Sequence, residues 1–207
     1  DVGKVQADEG WSQLEWQSLH TLFGEKITGQ TNEAGARSVA ARWGRKVLRS
    51  YSSSFYVVTR FLPANKRADV EMIYAAVRYP DEVVDTFQLS ATDKVDMIDD
   101  WQHYFEKTDY FPGISNAVEH GIPVTLAGFR DVARRNGIPD EYYISFLQAM
   151  RSDLSPQQFV GWPDLIDRYI YGSASVVGYF LAHVYGAAKG ASIAECMQSA
   201  RALAIAL

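Results

Sequence analysis

Tyr74-Ala-Ala-Val-Arg78-Tyr-Pro-Asp81-Glu82-Val-Val-Asp85 sets an arginine and three acidic residues at the end of an apolar stretch, Val70-Glu-Met-Ile-Tyr-Ala-Ala-Val77. That stretch reads as a buried helix. Residues four apart on a helix share a face, with Cβ atoms roughly 5–6 Å apart, so Asp81 and Asp85 project together. Two hard oxygen donors at that spacing suit magnesium, which keeps several waters and is completed by phosphate oxygens. Arg78, three residues before Asp81, lies on or near the same face, where a guanidinium is suited to grip a diphosphate oxygen.

Spacing alone does not single this pair out. With 25 acidic residues among 207, chance produces roughly three such pairs, most of them on solvated helix faces. Asp96 and Asp100 form one, just after Ser90-Ala-Thr-Asp93, which reads as a helix cap followed by an exposed first turn. The Asp81/Asp85 pair differs because it borders a core, where a carboxylate needs a partner to offset desolvation.

Outward from this stretch, the apolar period is helical almost throughout. Pro63 opens the helix that bears the acidic residues, and Pro80 is expected to kink it just before Asp81. Other helices are predicted over about residues 36–50, 91–107, 123–135, 139–151, 163–188 and 191–207. Pro123, Pro139 and Pro163 stand at their starts, with Gly121, Gly137 and Gly161 in the turns. Residues 1–35 read as an N-terminal segment, partly loop: a short amphipathic helix around Trp11 to Phe23, then a loop from Gly24 to Gly35. Neither strand alternation nor an internal repeat appears. The prediction is an all-α, single-domain bundle over 36–207.

Composition limits the function classes. The apolar and aromatic fractions, 47% and 13%, are enough for a sizeable core. A net charge of −5 argues against a nucleic-acid surface. The one cysteine, Cys196, excludes an internal disulfide framework and a cysteine metal cage, and fits a reducing, cytoplasmic setting. His20, His103, His120 and His183 have no metal-ligand spacing. Neither phosphate-loop nor dinucleotide-binding glycine patterns occur. The apolar run Ser173–Ala188, broken by His183 and rich in small residues, reads as a closely packed internal helix rather than a membrane span.

Two stretches resemble the squalene/phytoene synthase family, all-helical enzymes that join two prenyl diphosphates head to head. The first runs from Tyr51-Ser-Ser-Ser-Phe-Tyr through Phe-Leu-Pro63 to Ile73-Tyr-Ala-Ala-Val-Arg-Tyr-Pro-Asp-Glu-Val-Val-Asp85. The second comprises Phe146-Leu-Gln-Ala-Met-Arg-Ser-Asp153 and Asp164-Leu-Ile-Asp-Arg-Tyr169-Ile-Tyr-Gly-Ser-Ala174-Ser-Val-Val-Gly178. Together they cover roughly residues 38–207 in the family's order. The resemblance implies an isoprenoid-synthase-like bundle around a central cavity.

It also implies residue roles. Asp81, Glu82 and Asp85 would hold magnesium; many members have a second aspartate where this chain has Glu82. Arg78 would hold the diphosphate, and Ser52 and Ser54 would donate hydrogen bonds to its oxygens. Phe55, Tyr74 and Tyr169 would line the prenyl tunnel, where aromatic faces stabilise positive charge, and Ala174 and Gly178 would keep its wall clear. Ordinary core packing is the plain alternative for each aromatic, and close helix packing for the small residues. Asp153 matches a family position too, with pairing to an arginine as its plain alternative. Tyr51 stands where the family often has histidine.

The partners implied are farnesyl or geranylgeranyl diphosphate, with peripheral membrane contact for release of a C30 or C40 hydrocarbon. Phytoene-type synthesis is slightly favoured over squalene- or dehydrosqualene-type, and NADPH would be needed only for squalene. The family's second acidic motif lies downstream of a segment like Ala200–Leu207. The chain is therefore expected to be incomplete at its C-terminus, to carry half of a two-sided magnesium site, and to turn over little by itself. A non-catalytic helical relative is the alternative from another class.

Overall fold

A computed structural model describes residues 10–206 except Pro156. Within them it is all-α, as expected, and no strand occurs. Residues 1–9 of the N-terminal segment, and Leu207 at the end of the last predicted helix, lie outside the described residues.

The N-terminal part departs from the sequence expectation. Helix α1 spans Gln13–Thr28 and runs straight through Gly24; its first turn is fixed by a capping box between Ser12 and Glu15. The chain breaks only at Gly29, and Asn32 caps α2, Glu33–Tyr51, by accepting from the Gly35 N–H at 2.9 Å. A glycine inside a helix costs about 1 kcal/mol relative to alanine. Burial of Trp16, Phe23 and Ile27 outweighs it, since each large apolar side chain contributes roughly 1.5–3 kcal/mol.

Helix α3, Ser53–Thr59, is a short unpredicted element, and α4, Ala64–Asp85, is the central one. It crosses α2 so closely that a Cβ at Gly44 would lie 2.9 Å from the Glu71 carbonyl carbon and the Met72 nitrogen. Helix α4 continues through Pro80 to Asp85. Proline has no N–H to give, so the Ala76 carbonyl loses its helical donor. The buried Tyr143 hydroxyl donates to that carbonyl at 2.7 Å, and the Trp101 indole N–H donates to the same hydroxyl at 3.0 Å.

Helices α5 (Ala91–Lys107), α6 (Ile114–Glu119), α7 (Val124–Asn136) and α8 (Asp140–Asp153) close the core. Only α6 among them was not foreseen. The predicted helix over 163–188 is instead a composite: α9 (Trp162–Leu165), a π-helical segment (Ile166–Ser175) and α10 (Val176–Tyr185). Helix α11, Ile193–Ala206, packs on α10 and the π segment. Gly172 presses the π segment onto α8, where a Cβ would stand 2.6 Å from the Ser145 carbonyl oxygen. None of the helices described is long and apolar enough to cross a membrane.

Buried charges are paired. Glu71 faces Arg45 and Arg60, and Asp69 takes a fork of two hydrogen bonds from Arg135 at 2.6 and 3.0 Å. Such pairs satisfy groups whose desolvation would otherwise be costly. At the heart of the bundle Trp16, His20, Trp43, Tyr79 and Trp101 pack ring against ring.

Candidate functional site

The C-terminal half of α4 forms one wall of a cleft of about 420 Å³, and α8 with the π segment forms the other. Tyr74, Val77, Arg78, Asp81 and Asp85 come from α4; Asp153 stands at the end of α8, and Tyr169 on the π segment. Five of the predicted site residues, Tyr74, Arg78, Asp81, Asp85 and Tyr169, thus meet in one place with Asp153, although about 70 residues or more of chain separate Asp153 and Tyr169 from those on α4. Phe146, Met150, Ser173 and Val177 complete the lining. Sequence reasoning did not single these out, although Phe146 and Met150 stand four apart, as Ser173 and Val177 do, which puts each pair on one helical face.

Asp85 closes α4, and its last turn is held by Lys94, whose Nζ donates to the Val84 carbonyl at 2.7 Å. Arg78 Nη1 donates to Asp81 Oδ2 at 2.7 Å, and Arg78 Nη2 pairs with Glu82. Glu82 does not line the cleft. Its side chain is 1% exposed, one step of about 100° further round the helix than Asp81, so the acidic triplet is divided between two faces.

The cleft is acidic and partly desolvated. Burial pushes the Asp81 carboxyl above its ordinary range and Asp85 adds to this, while Arg78 pulls against it. Asp153 is raised too, first by its place in the concave wall and then by Asp81 and Asp85, against a hydrogen bond from the Tyr169 hydroxyl at 3.3 Å. No arginine pairs with Asp153 among the described residues: Arg151, two residues before it, reaches Asp99 instead. Three carboxylates facing one another and only partly offset by Arg78 make a place for positive charge. No group of three acidic, histidine or cysteine side chains among the described residues is close enough to hold a metal unaided. The donor set suits a hard cation that retains waters and shares its shell with a phosphate.

The other predicted residues lie nearby but apart. Ser52 caps α3, its Oγ accepting from the Phe55 N–H at 3.3 Å, and Ser54 is exposed; neither lines the cleft. Phe55 stands behind Tyr74, ring centroids 5.8 Å apart. Ala174 and Gly178 point into a separate apolar groove of about 530 Å³ between α10 and α11, with Leu181, Ala200 and Leu203. A Cβ at Gly178 would meet that of Ala200 at 3.1 Å. Tyr51 lies under the cleft arginine, whose guanidinium is 4.6 Å from its ring. The Tyr51 oxygen accepts two hydrogen bonds of 2.8 Å, from the Trp11 N–H and the Trp16 indole.

A sequence profile described as squalene/phytoene synthase matches residues 48–207, which takes in every element of the cleft. The chain belongs to the squalene/phytoene synthase family. Individual relatives within it carry more than one name. A presqualene diphosphate synthase of Zymomonas mobilis is 29% identical over 138 residues, 65% of this chain and 43% of that protein. A 15-cis-phytoene synthase of a Paracoccus species is 27% identical over 139 residues, again 65% and 43%. A phytoene synthase of Arthrospira platensis is 27% identical over 145 residues, 70% and 44%. The chain thus spans less than half the length of the curated squalene/phytoene synthase relatives it matches.

Proposed function

We propose that this protein takes part in the head-to-head (1′–1) condensation of two prenyl diphosphates to a C30 or C40 hydrocarbon, with a phytoene-type product favoured. The observation that carries the reading is the convergence of Arg78, Asp81 and Asp85 on α4 with Asp153 and Tyr169 across a cleft floored by apolar side chains. An allylic diphosphate ionises to a delocalised carbocation and pyrophosphate. The site has to bind the leaving group and offer the cation no nucleophile.

Asp81 and Asp85 would hold magnesium, which would neutralise charge on the departing pyrophosphate. Arg78 sits three residues from Asp81 and is placed to bind a phosphate oxygen directly. Glu82 serves in this reading as the buried counter-ion that orients Arg78. Tyr74 presents an aromatic ring to the cleft, and burial raises its phenol above the ordinary range, so it stays a neutral face for passing positive charge. Phe55 supports that ring from behind. A squalene-type product, with NADPH as reductant, is the second reading, since one relative bears the name presqualene diphosphate synthase.

The test is incubation of the full-length protein with farnesyl or geranylgeranyl diphosphate and magnesium, with and without NADPH, followed by hydrocarbon extraction. Phytoene from the C20 donor without reductant is the expected outcome. Asp81→Asn and Asp85→Asn should each lower turnover by about 100-fold or more while the far-UV spectrum stays helical. Unchanged turnover in both variants would remove the two aspartates from the reaction.

A further inference from the structure

Helix α2 carries a second, unrelated concentration of charge. Arg42, Arg45, Lys46 and Arg49 follow the spacing i, i+3, i+4, i+7 and are all exposed, so they form one stripe along one face. With Ser50 they line a shallow groove of about 520 Å³. In a protein of net charge −5 this is a local reversal of sign. Among the described residues only Arg45 of the four has an ion pair, and its partner Glu71 is fully buried and shared with Arg60. Arg42 touches Ser38 Oγ at 3.2 Å, Lys46 lies 5.3 Å from the Trp11 ring, and Arg49 lies 5.9 Å from the Tyr56 ring.

The stripe borders an apolar ridge. The Tyr56 ring that faces Arg49 also carries the Arg60 guanidinium at 4.3 Å. Tyr56 therefore joins the basic face of α2 to α3 and the turn after it. On that segment Val57, Val58 and Phe61 are 55%, 57% and 86% exposed. Solvated cations beside protruding apolar side chains match the two layers of an anionic bilayer, phosphate headgroups above and acyl chain below. An acidic protein surface would engage the cations and leave the ridge unused.

We propose that the basic stripe of α2 and the Val57–Phe61 ridge dock this protein on an anionic lipid surface. The proposal rests on these side chains and not on the reaction assigned to the cleft, so each can fail without the other. The test is co-sedimentation of the protein with phosphatidylcholine vesicles, with and without phosphatidylserine, at low and high salt. Polyglutamate serves as a soluble polyanion for comparison. Binding should require phosphatidylserine and weaken with salt. Each cation near such a surface strengthens association about fivefold, so Lys46→Gln with Arg49→Gln should reduce partitioning about tenfold or more. Val57→Ser with Phe61→Ser should also weaken vesicle binding and leave polyglutamate binding untouched. All four substituted side chains are exposed, and circular dichroism checks that the variants fold. Binding indifferent to phosphatidylserine, or to either pair of substitutions, would overturn the proposal. Sensitivity to the cations alone would reassign the stripe to a soluble polyanion.

Discussion

Tyr143→Phe removes one oxygen, and the structure says what that oxygen holds. Its hydrogen bond satisfies the Ala76 carbonyl that Pro80 leaves without a helical donor, and it accepts from Trp101. Burial pushes the Tyr143 phenol up, so it remains a protonated donor at any working pH. The phenylalanine variant leaves a buried carbonyl and a buried indole N–H unsatisfied, at about 1–3 kcal/mol each. The expected loss is therefore about 2–6 kcal/mol, or roughly 4–24 °C in Tm for a chain of this size. Packing barely changes, because the ring stays. The decisive measurement is a double-mutant cycle with Pro80→Ala, read by urea unfolding under far-UV circular dichroism. Alanine restores an N–H at position 80 that can reach the Ala76 carbonyl, so Tyr143→Phe should cost about 1–2 kcal/mol less in that background. Costs that add within about 0.5 kcal/mol would refute the assignment of Tyr143 as the donor that replaces Pro80.

Two further outcomes are expected. His20 is enclosed by aromatic rings and burial lowers its pKa from 6.5 to about 3; the unfolded chain takes up a proton in that window and the folded chain does not. Stability should fall as pH drops below 6.5, by up to about 1.4 kcal/mol per pH unit from this group. His20→Gln should flatten the urea midpoint between pH 6.5 and about 5, and an unchanged slope would show that His20 titrates freely. Gly172→Ala raises helix propensity by about 1 kcal/mol, yet its methyl would stand 2.6 Å from the Ser145 carbonyl oxygen. Overpacking of that kind costs about 1–3 kcal/mol, so the melting temperature should drop; a rise would mean the π segment yields at no cost.

Much of this arrangement is legible in the residues. The helical class follows from apolar period, and Pro63, Pro123 and Pro139 do stand as N-caps of α4, α7 and α8. Asp81 and Asp85 share a cleft wall because four-residue spacing demands it. What is not legible depends on tertiary contact. Gly24 looks like the start of a loop until the burial of Phe23 and Ile27 on either side of it is known. The 163–188 pattern fits a helix, but apolar spacing does not distinguish a four-residue winding from the five-residue winding of Ile166–Ser175. Glu82 belongs to the acidic triplet by composition, and only the packing around α4 reveals that its side chain is spent on Arg78 in the interior. The resemblance implies Ser52 as a hydrogen-bond donor to phosphate, and packing adds what the sequence does not show: its Oγ accepts from the Phe55 N–H to cap α3, which leaves its O–H free to donate.

Tyr51 carries a consequence for how sequences in this family diverge. The match to the family begins at residue 48, so Trp11 and Trp16 stand outside it, yet both N–H groups end on the Tyr51 oxygen beneath Arg78. A phenol oxygen offers two lone pairs and can receive both donors, whereas a neutral imidazole has one acceptor nitrogen. The histidine common at this position could therefore serve only one of them and would leave the other stranded in a ring-lined interior. The Tyr51 oxygen, the Trp11 backbone N–H and the Trp16 indole form one hydrogen-bonded unit. Relatives with histidine at 51 should have something other than this pair of donors in front of it, and a homologue alignment that starts at residue 48 would not record the exchange.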